Sequence, residues 1–224
     1  MEDAARSLLD LWDLAERTVD ELDAADWARP LPVGVPGPVD VAELTLHLAG
    51  LHYATTDAVR AGLAAARRRA ALRLLGHRAG DPELGAQCLD MCLHVHDLLA
   101  ALGRRADLAG HEGAAREACH LVMGCLPRLL VAAMGGDDTT LRVVVRGDDH
   151  IRDVHVARGA VVPGRAPRCA DRLDTEPAAL VLLLAGRRDA DDLRAEGVLS
   201  WSGSVADAFV HRARLGAAQA RNAG

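Results

Sequence analysis

Apolar residues recur through the first half of the chain at three- and four-residue steps, the spacing of amphipathic helices. Leu8, Leu11, Trp12, Ala15, Val19 and Leu22 form one such stripe and predict a helix over residues 3–24. Pro30, Pro32, Gly34, Pro36, Gly37 and Pro38 then break the pattern and predict a loop. Asp40 is a candidate cap for a second helix, with Glu43 as its capping-box partner and Val41, Leu44, Leu48 and Leu51 as its buried stripe. A third helix is predicted over residues 63–75. A fourth follows Asp81-Pro82, a cap with proline at the first helical position; Leu84, Cys88, Met91, Leu98 and Leu102 give its apolar face and Gly103 its stop. A fifth is predicted over residues 112–134, ending at Gly135-Gly136.

The period changes after that glycine pair. Leu141-Arg142-Val143-Val144-Val145 is a β-branched run, residues 151–156 alternate, and Gly147-Asp148-Asp149 lies between them, so the segment predicts a hairpin. Val161-Val162 is a candidate short strand, residues 178–186 an apolar helix, residues 199–202 a strand and residues 205–215 a last helix. The chain is therefore expected to be mixed α and β. A helical domain over residues 1–135 precedes a small α+β domain over residues 139–224.

Composition narrows the function. Half of the 224 residues are hydrophobic and 26% are charged, a globular balance that needs no disulfide or metal merely to fold. The net charge of −6 and the near absence of aromatics argue against a nucleic-acid partner, which would want a basic face or a stacking platform. All 26 basic residues are arginine. With no lysine, P-loop phosphate binding, Schiff-base chemistry and lysine-assisted serine hydrolysis are excluded. The alanine, arginine, leucine and glycine bias is that of a very GC-rich genome. Five cysteines without framework spacing, an acidic N-terminus and an apolar stretch interrupted by Pro127-Arg128 predict a reduced, cytoplasmic protein with no membrane span.

The candidate chemistry gathers on the second and fourth helices. Asp90 and His94 are four residues apart, which puts a carboxylate and an imidazole on one helical face, one turn apart. His47, near the middle of the second helix, is a candidate third ligand across a helix interface. Two histidines and one carboxylate with an open position suit a zinc-type catalytic site; the competing reading is a solvated polar helix face. Cys92 lies about 200° around the helix from Asp90 and His94, at about 100° per residue, and should face away from an ion. The same arithmetic turns His96 away from His94, toward a surface or an interface. Cys88, Cys92 and the Cys119-His120 pair are expected to pack as core groups. His150, Asp153 and His155 suggest a solvated hairpin before a second metal site. Arg67-Arg68-Arg69 with Arg60 and Arg73 suggests a solvated face before a phosphate or membrane contact.

Short motifs carry a resemblance. The segment Pro36-Gly37-Pro38-Val39-Asp40-Val41-Ala42-Glu43-Leu44-Thr45-Leu46-His47-Leu48-Ala49 resembles the proline-glycine loop and "V-x-x-x-x-x-H-L-A" helix of the mycothiol-dependent maleylpyruvate isomerase family, within the DinB-like metalloproteins. The segment from Asp90-Met91-Cys92-Leu93-His94 to Ala101-Leu102-Gly103 is similar to that family's "E-x-x-x-H-x-W-D-L-A-x-A-L-G" helix. Ala170-Asp171 and the Leu180 to Arg188 stretch resemble its sterol-carrier-like C-terminal domain. Asp90 stands where the family has glutamate, and His96 and Val39 where tryptophans are common.

The resemblance implies a DinB-like four-helix bundle followed by a small α+β domain, with His47, Asp90 and His94 as ligands of one divalent metal, zinc by preference. It further implies mycothiol as thiol co-substrate and an isomerase or thiol transferase acting on a small electrophilic molecule. The alternative is a non-catalytic or thiol-independent DinB-like protein with a binding or specialised-metabolism role.

Overall fold

A computed structural model describes residues 2–32, 38–74, 80–105, 108–135, 138–147, 151–157, 160–161 and 170–215. Gly34, Pro36, Gly37, Leu75, Gly136, Asp148, Asp149, His150, Val162 and Cys169, which figure in the expectations above, lie outside the described residues.

The chain is mixed α and β. Among the described residues it forms eight α-helices and one five-stranded sheet. It divides into two compact units, Met1–Ala118 and Cys119–Gly224. The first holds α1 (Glu2–Asp20), α2 (Val41–Ala49), α3 (Thr56–Leu74), α4 (Pro82–Ala101) and the opening turns of α5 (Glu112–Met134). Secondary structure changes from helix to strand after Gly135, as the glycine pair predicts, whereas the units divide earlier, within α5.

In the first unit α1 packs on α3 and α4, and α2 packs on the same two helices. Leu8, Leu11, Ala15 and Val19 of α1 are completely buried, so the predicted stripe is the packed one. The start of α2 is fixed twice. Asp40 accepts a 2.8 Å hydrogen bond from the Glu43 amide, and the Glu43 carboxylate accepts one of 3.0 Å from the Val39 amide. The Pro30–Asp40 bridge and the Leu31-to-Val39 amide bond hold the chain that leads in. Gly50, at φ 71°, ends the helix, its amide donating to the His47 and Leu46 carbonyls. Asp81 caps α4 by accepting from the Glu83 amide, with Pro82 at the first position. The third helix begins at Thr56, nearly two turns before the predicted start; its buried positions are Val59, Leu63, Ala66 and Ala70.

In the second unit the strands are β1 (Thr139–Val145), β2 (Ile151–Ala157), β3 (Ala160–Val161), β4 (Arg172–Thr175) and β5 (Leu199–Ser202), in the order β3-β2-β1-β4-β5. All pairs are antiparallel except β1 with β4. Leu141, Val143, Val145, Val154, Val156, Leu173 and Leu199 are buried and alternate with less buried neighbours. The helices α6 (Pro177–Leu184), α7 (Ala190–Ala195) and α8 (Ser204–Arg212) complete the unit. From Ala179 to Leu184 every residue of α6 is buried, which makes it a core helix. The outer face of the sheet is salt-bridged. Arg142 of β1 sits opposite Asp153 of β2 and bonds it through two nitrogens, at 2.7 and 2.9 Å.

The N-terminus of α8 is capped by a residue from elsewhere. Its own N-cap is Gly203, which has no side chain to offer, and the Asp171 carboxylate accepts from the Val205 and Ala206 amides at 2.7 and 3.3 Å. Gly203 sits at φ 92° and ψ 158°, and a Cβ there would collide with the Asp171 carboxylate.

One helix among the described residues, α5, is long and apolar enough to cross a membrane by length and composition. Half of its apolar window is buried inside the fold, and Pro127 lies within the helix without ending it.

Candidate metal centre

The packing of α2 on α4 brings the three expected residues together. One donor atom from each of His47, Asp90 and His94 can be chosen so that all lie within 4.8 Å of one another. Asp90 Oδ1 is 3.3 Å from His94 Nε2, the one-turn neighbour relation of the same helix. The His47 and His94 rings meet edge to face, with centroids 5.0 Å apart and planes at 90°. Burial is graded: the His94 side chain is 14% exposed and that of Asp90 61%, while His47 lies at the surface. The site therefore sits at the rim of the unit, with its innermost group desolvated.

This arrangement fits a divalent ion. Tetrahedral donors at about 2.0–2.1 Å from zinc stand about 3.4 Å apart, close to the Asp90–His94 separation. The donor type, two imidazoles and one carboxylate, leaves room for a further ligand on the solvent side. Among the described residues no other group of histidine, cysteine, aspartate or glutamate side chains has such geometry.

Cys92 does not join the three. It is completely buried, and burial pushes its thiol well above the ordinary range, with Cys88 adding to the effect. Burial likewise pushes Cys88 up to about 12, helped by Glu117. Both pack as small core groups, and Cys88, Cys92 and Cys125 are free thiols. Of the surface or interface position expected for His96, burial excludes the surface: it is 4% exposed. The second half of α4 is covered on several sides, with Met91, Cys92, Val95, His96, Asp97, Leu98 and Leu99 all buried. Turning away from His94 therefore does not mean turning to solvent. Asp153 bonds Arg142, and among the described residues it forms no metal-type group with His155; His150, the third member of that candidate, lies outside them.

The arginine run of α3 divides by role. Arg67 pairs with Asp13 of α1, and Arg60 with Asp20 at 2.9 Å. Arg69 and Arg73 instead line a cleft of about 240 Å³ that also takes in Asp90 and, from the same face of α4, Gln87. Trp12 and Met91 supply apolar surface there. The sequence signal for Gln87 was its place three residues before Asp90, on the same helical face.

No family model matches this chain, and no curated protein matches it in sequence. The fold and the site define an α+β protein with a candidate divalent-metal centre on its helical unit.

Proposed function

We propose that the chain is a metal-dependent, mycothiol-using isomerase or thiol transferase acting on a small electrophilic substrate in the cytoplasm, its helical unit being a DinB-like bundle. The observation that carries this reading is the convergence of His47, Asp90 and His94 from two helices at one rim of the unit. The motif resemblance of the segments around His47 and Asp90 supplies the chemistry.

A divalent ion held by these residues would lower the pKa of a bound thiol enough to give thiolate at neutral pH. The chain's own part is positional. Asp90 and His94 are held by one helix, so their spacing is set by the helical turn. His47 is brought in by a helix fixed at both ends, by Asp40 and Glu43 and by Gly50. Exposure of Asp90 and His47 leaves the open side accessible to a thiol and a small electrophile.

Elemental analysis of the purified protein should find close to one divalent ion per chain, and His47→Ala should lose most of it. Zinc-loaded protein should then accelerate consumption of mycothiol by a haloalkyl electrophile, or cis–trans isomerisation of an activated alkene in its presence. Metal without thiol-dependent turnover would favour a thiol-independent or non-catalytic DinB-like protein. Absence of metal, with no uptake on zinc addition, would remove the basis of the reading.

A further inference from the structure

The cleft beside Asp90 carries charge that the protein does not neutralise by itself. Arg69 and Arg73 stand one turn apart on α3, both exposed, and among the described residues neither makes an ion pair or a hydrogen bond. Their neighbours Arg60 and Arg67 on the same helix do have carboxylate partners. Asp90 lies in the same cleft, yet its ion-pair contact is with His94 and not with either guanidinium. Arg69 also reaches toward the end of α2, where a Cβ on Gly50 would stand 3.7 Å from its Nη2, three residues after His47. The third polar group is Gln87, whose side-chain nitrogen is buried without a hydrogen-bond partner. A buried donor left in that state is costly, and a ligand acceptor would complete it.

The geometry points to an oxyanion subsite at Arg69, Arg73 and Gln87. It takes the carboxylate or phosphate group of a small organic anion, whose carbon skeleton lies against Trp12 and Met91 on the way to Asp90. Two guanidiniums offer fork-shaped donor sets suited to either oxyanion. The volume of about 240 Å³ falls below the roughly 300–1,000 Å³ of drug-sized sites, so the molecule is small. The inference rests on the proposed metal centre only for its direction: a cation at Asp90 would use up the one negative charge lining the cleft and leave the arginines in need of an anion. The subsite itself can be tested without metal.

The test is calorimetric titration of the full chain with benzoate and with phenyl phosphate, in chelator-treated and in zinc-loaded protein. At least one probe should bind the chelator-treated protein, and the preferred probe identifies the oxyanion. Arg69→Gln and Arg73→Gln should each weaken binding by about tenfold or more, as expected for loss of a charged hydrogen bond. Gln87→Leu should weaken it by a smaller factor. Arg68→Gln, outside the cleft, should leave it unchanged, and binding should weaken as salt is raised. The substituted arginines are exposed, so circular dichroism of these variants should match the parent; if one misfolds, the other and the salt titration decide. Failure of both probes to bind, or equal binding by the Arg69→Gln/Arg73→Gln double variant, would overturn the subsite and leave the arginines a solvated face. Anion binding in a protein that takes up no zinc would keep the subsite and sink the metal reading; zinc uptake without anion binding would do the reverse.

Discussion

Replacing His47 by alanine separates the metal centre from the fold, because the side chain lies at the surface and contributes little to packing. Without metal the substitution should cost about 1 kcal/mol or less, including loss of the ring contact with His94. With metal the difference is large. At free zinc one hundredfold above its dissociation constant, binding to the native state alone stabilises the protein by about 2.7 kcal/mol. For a chain of this size that corresponds to a rise in melting temperature of roughly 5–11 °C. His47→Ala leaves two donors on a single helix and unties α2 from α4. If the dissociation constant rises one hundredfold, the same free zinc yields only about 0.4 kcal/mol. Scanning calorimetry of both proteins, in chelator and in buffered zinc, reads all four states. The reasoning fails if zinc raises both melting temperatures equally. It also fails if His47→Ala alone costs more than about 3 kcal/mol in chelator, since His47 would then be a structural residue.

Three further outcomes follow from the described geometry. Gly203→Ala should destabilise the protein by about 1–3 kcal/mol for its backbone region alone, with further loss from the displaced Asp171 carboxylate; urea unfolding of Gly203→Ala, Asp171→Ala and the double variant should show non-additivity, because Asp171→Ala removes the collision, and simple additivity would refute it. Cys88 and Cys92 should resist thiol reagents at pH 8 until the protein unfolds, and Cys92→Ala should leave zinc content unchanged; rapid labelling of either in the native state, followed by mass spectrometry, would contradict their burial. Burial raises the Glu16 carboxyl above its ordinary range, against the pull of Arg67, so its stabilising share is present below about pH 4.5 and is lost as pH rises through the folded-state value. Glu16→Gln should therefore stabilise at pH 7 and have no such effect at pH 3.5; a pH-independent difference in chemical denaturation would refute the assignment.

What the sequence disclosed depended on how many residues shared a signal. The capped helices were legible at their starts, because Asp40 with Glu43 and Asp81 with Pro82 each join a polar cap to an apolar stripe. The early turns of α3 were not, since two of its four buried positions are alanine, whose side chain marks a face weakly. The strand β4 is four residues long with a single completely buried leucine, Leu173, and becomes a strand because β1 and β5 flank it. Likewise α7 is six residues, too short for periodicity to show. The metal candidates could be named because Asp90 and His94 are related by one helical turn, and His47 by the packing of two adjacent helices. The cleft could not be foreseen: Arg69, Arg73 and Gln87 belong to helices whose mutual rotation no local pattern encodes, and the pairing of Asp153 with Arg142 needs the hairpin register.

The parallel contact between β1 and β4 bears on how the protein is made. The β1–β2 pair closes locally and can form as soon as both strands have been synthesised. The other side of β1 must wait for β4, which follows only after residues 146–171, and β5 later still. During synthesis the Leu141 to Val145 run therefore presents an unpaired, β-branched edge to its surroundings. Closing that long loop is the slower event, so nascent chains are most exposed to mispairing in the interval before Leu173 arrives. Truncation before β4 should give an aggregating product, and the yield of soluble protein should depend on temperature during expression more than on the stability of the finished fold.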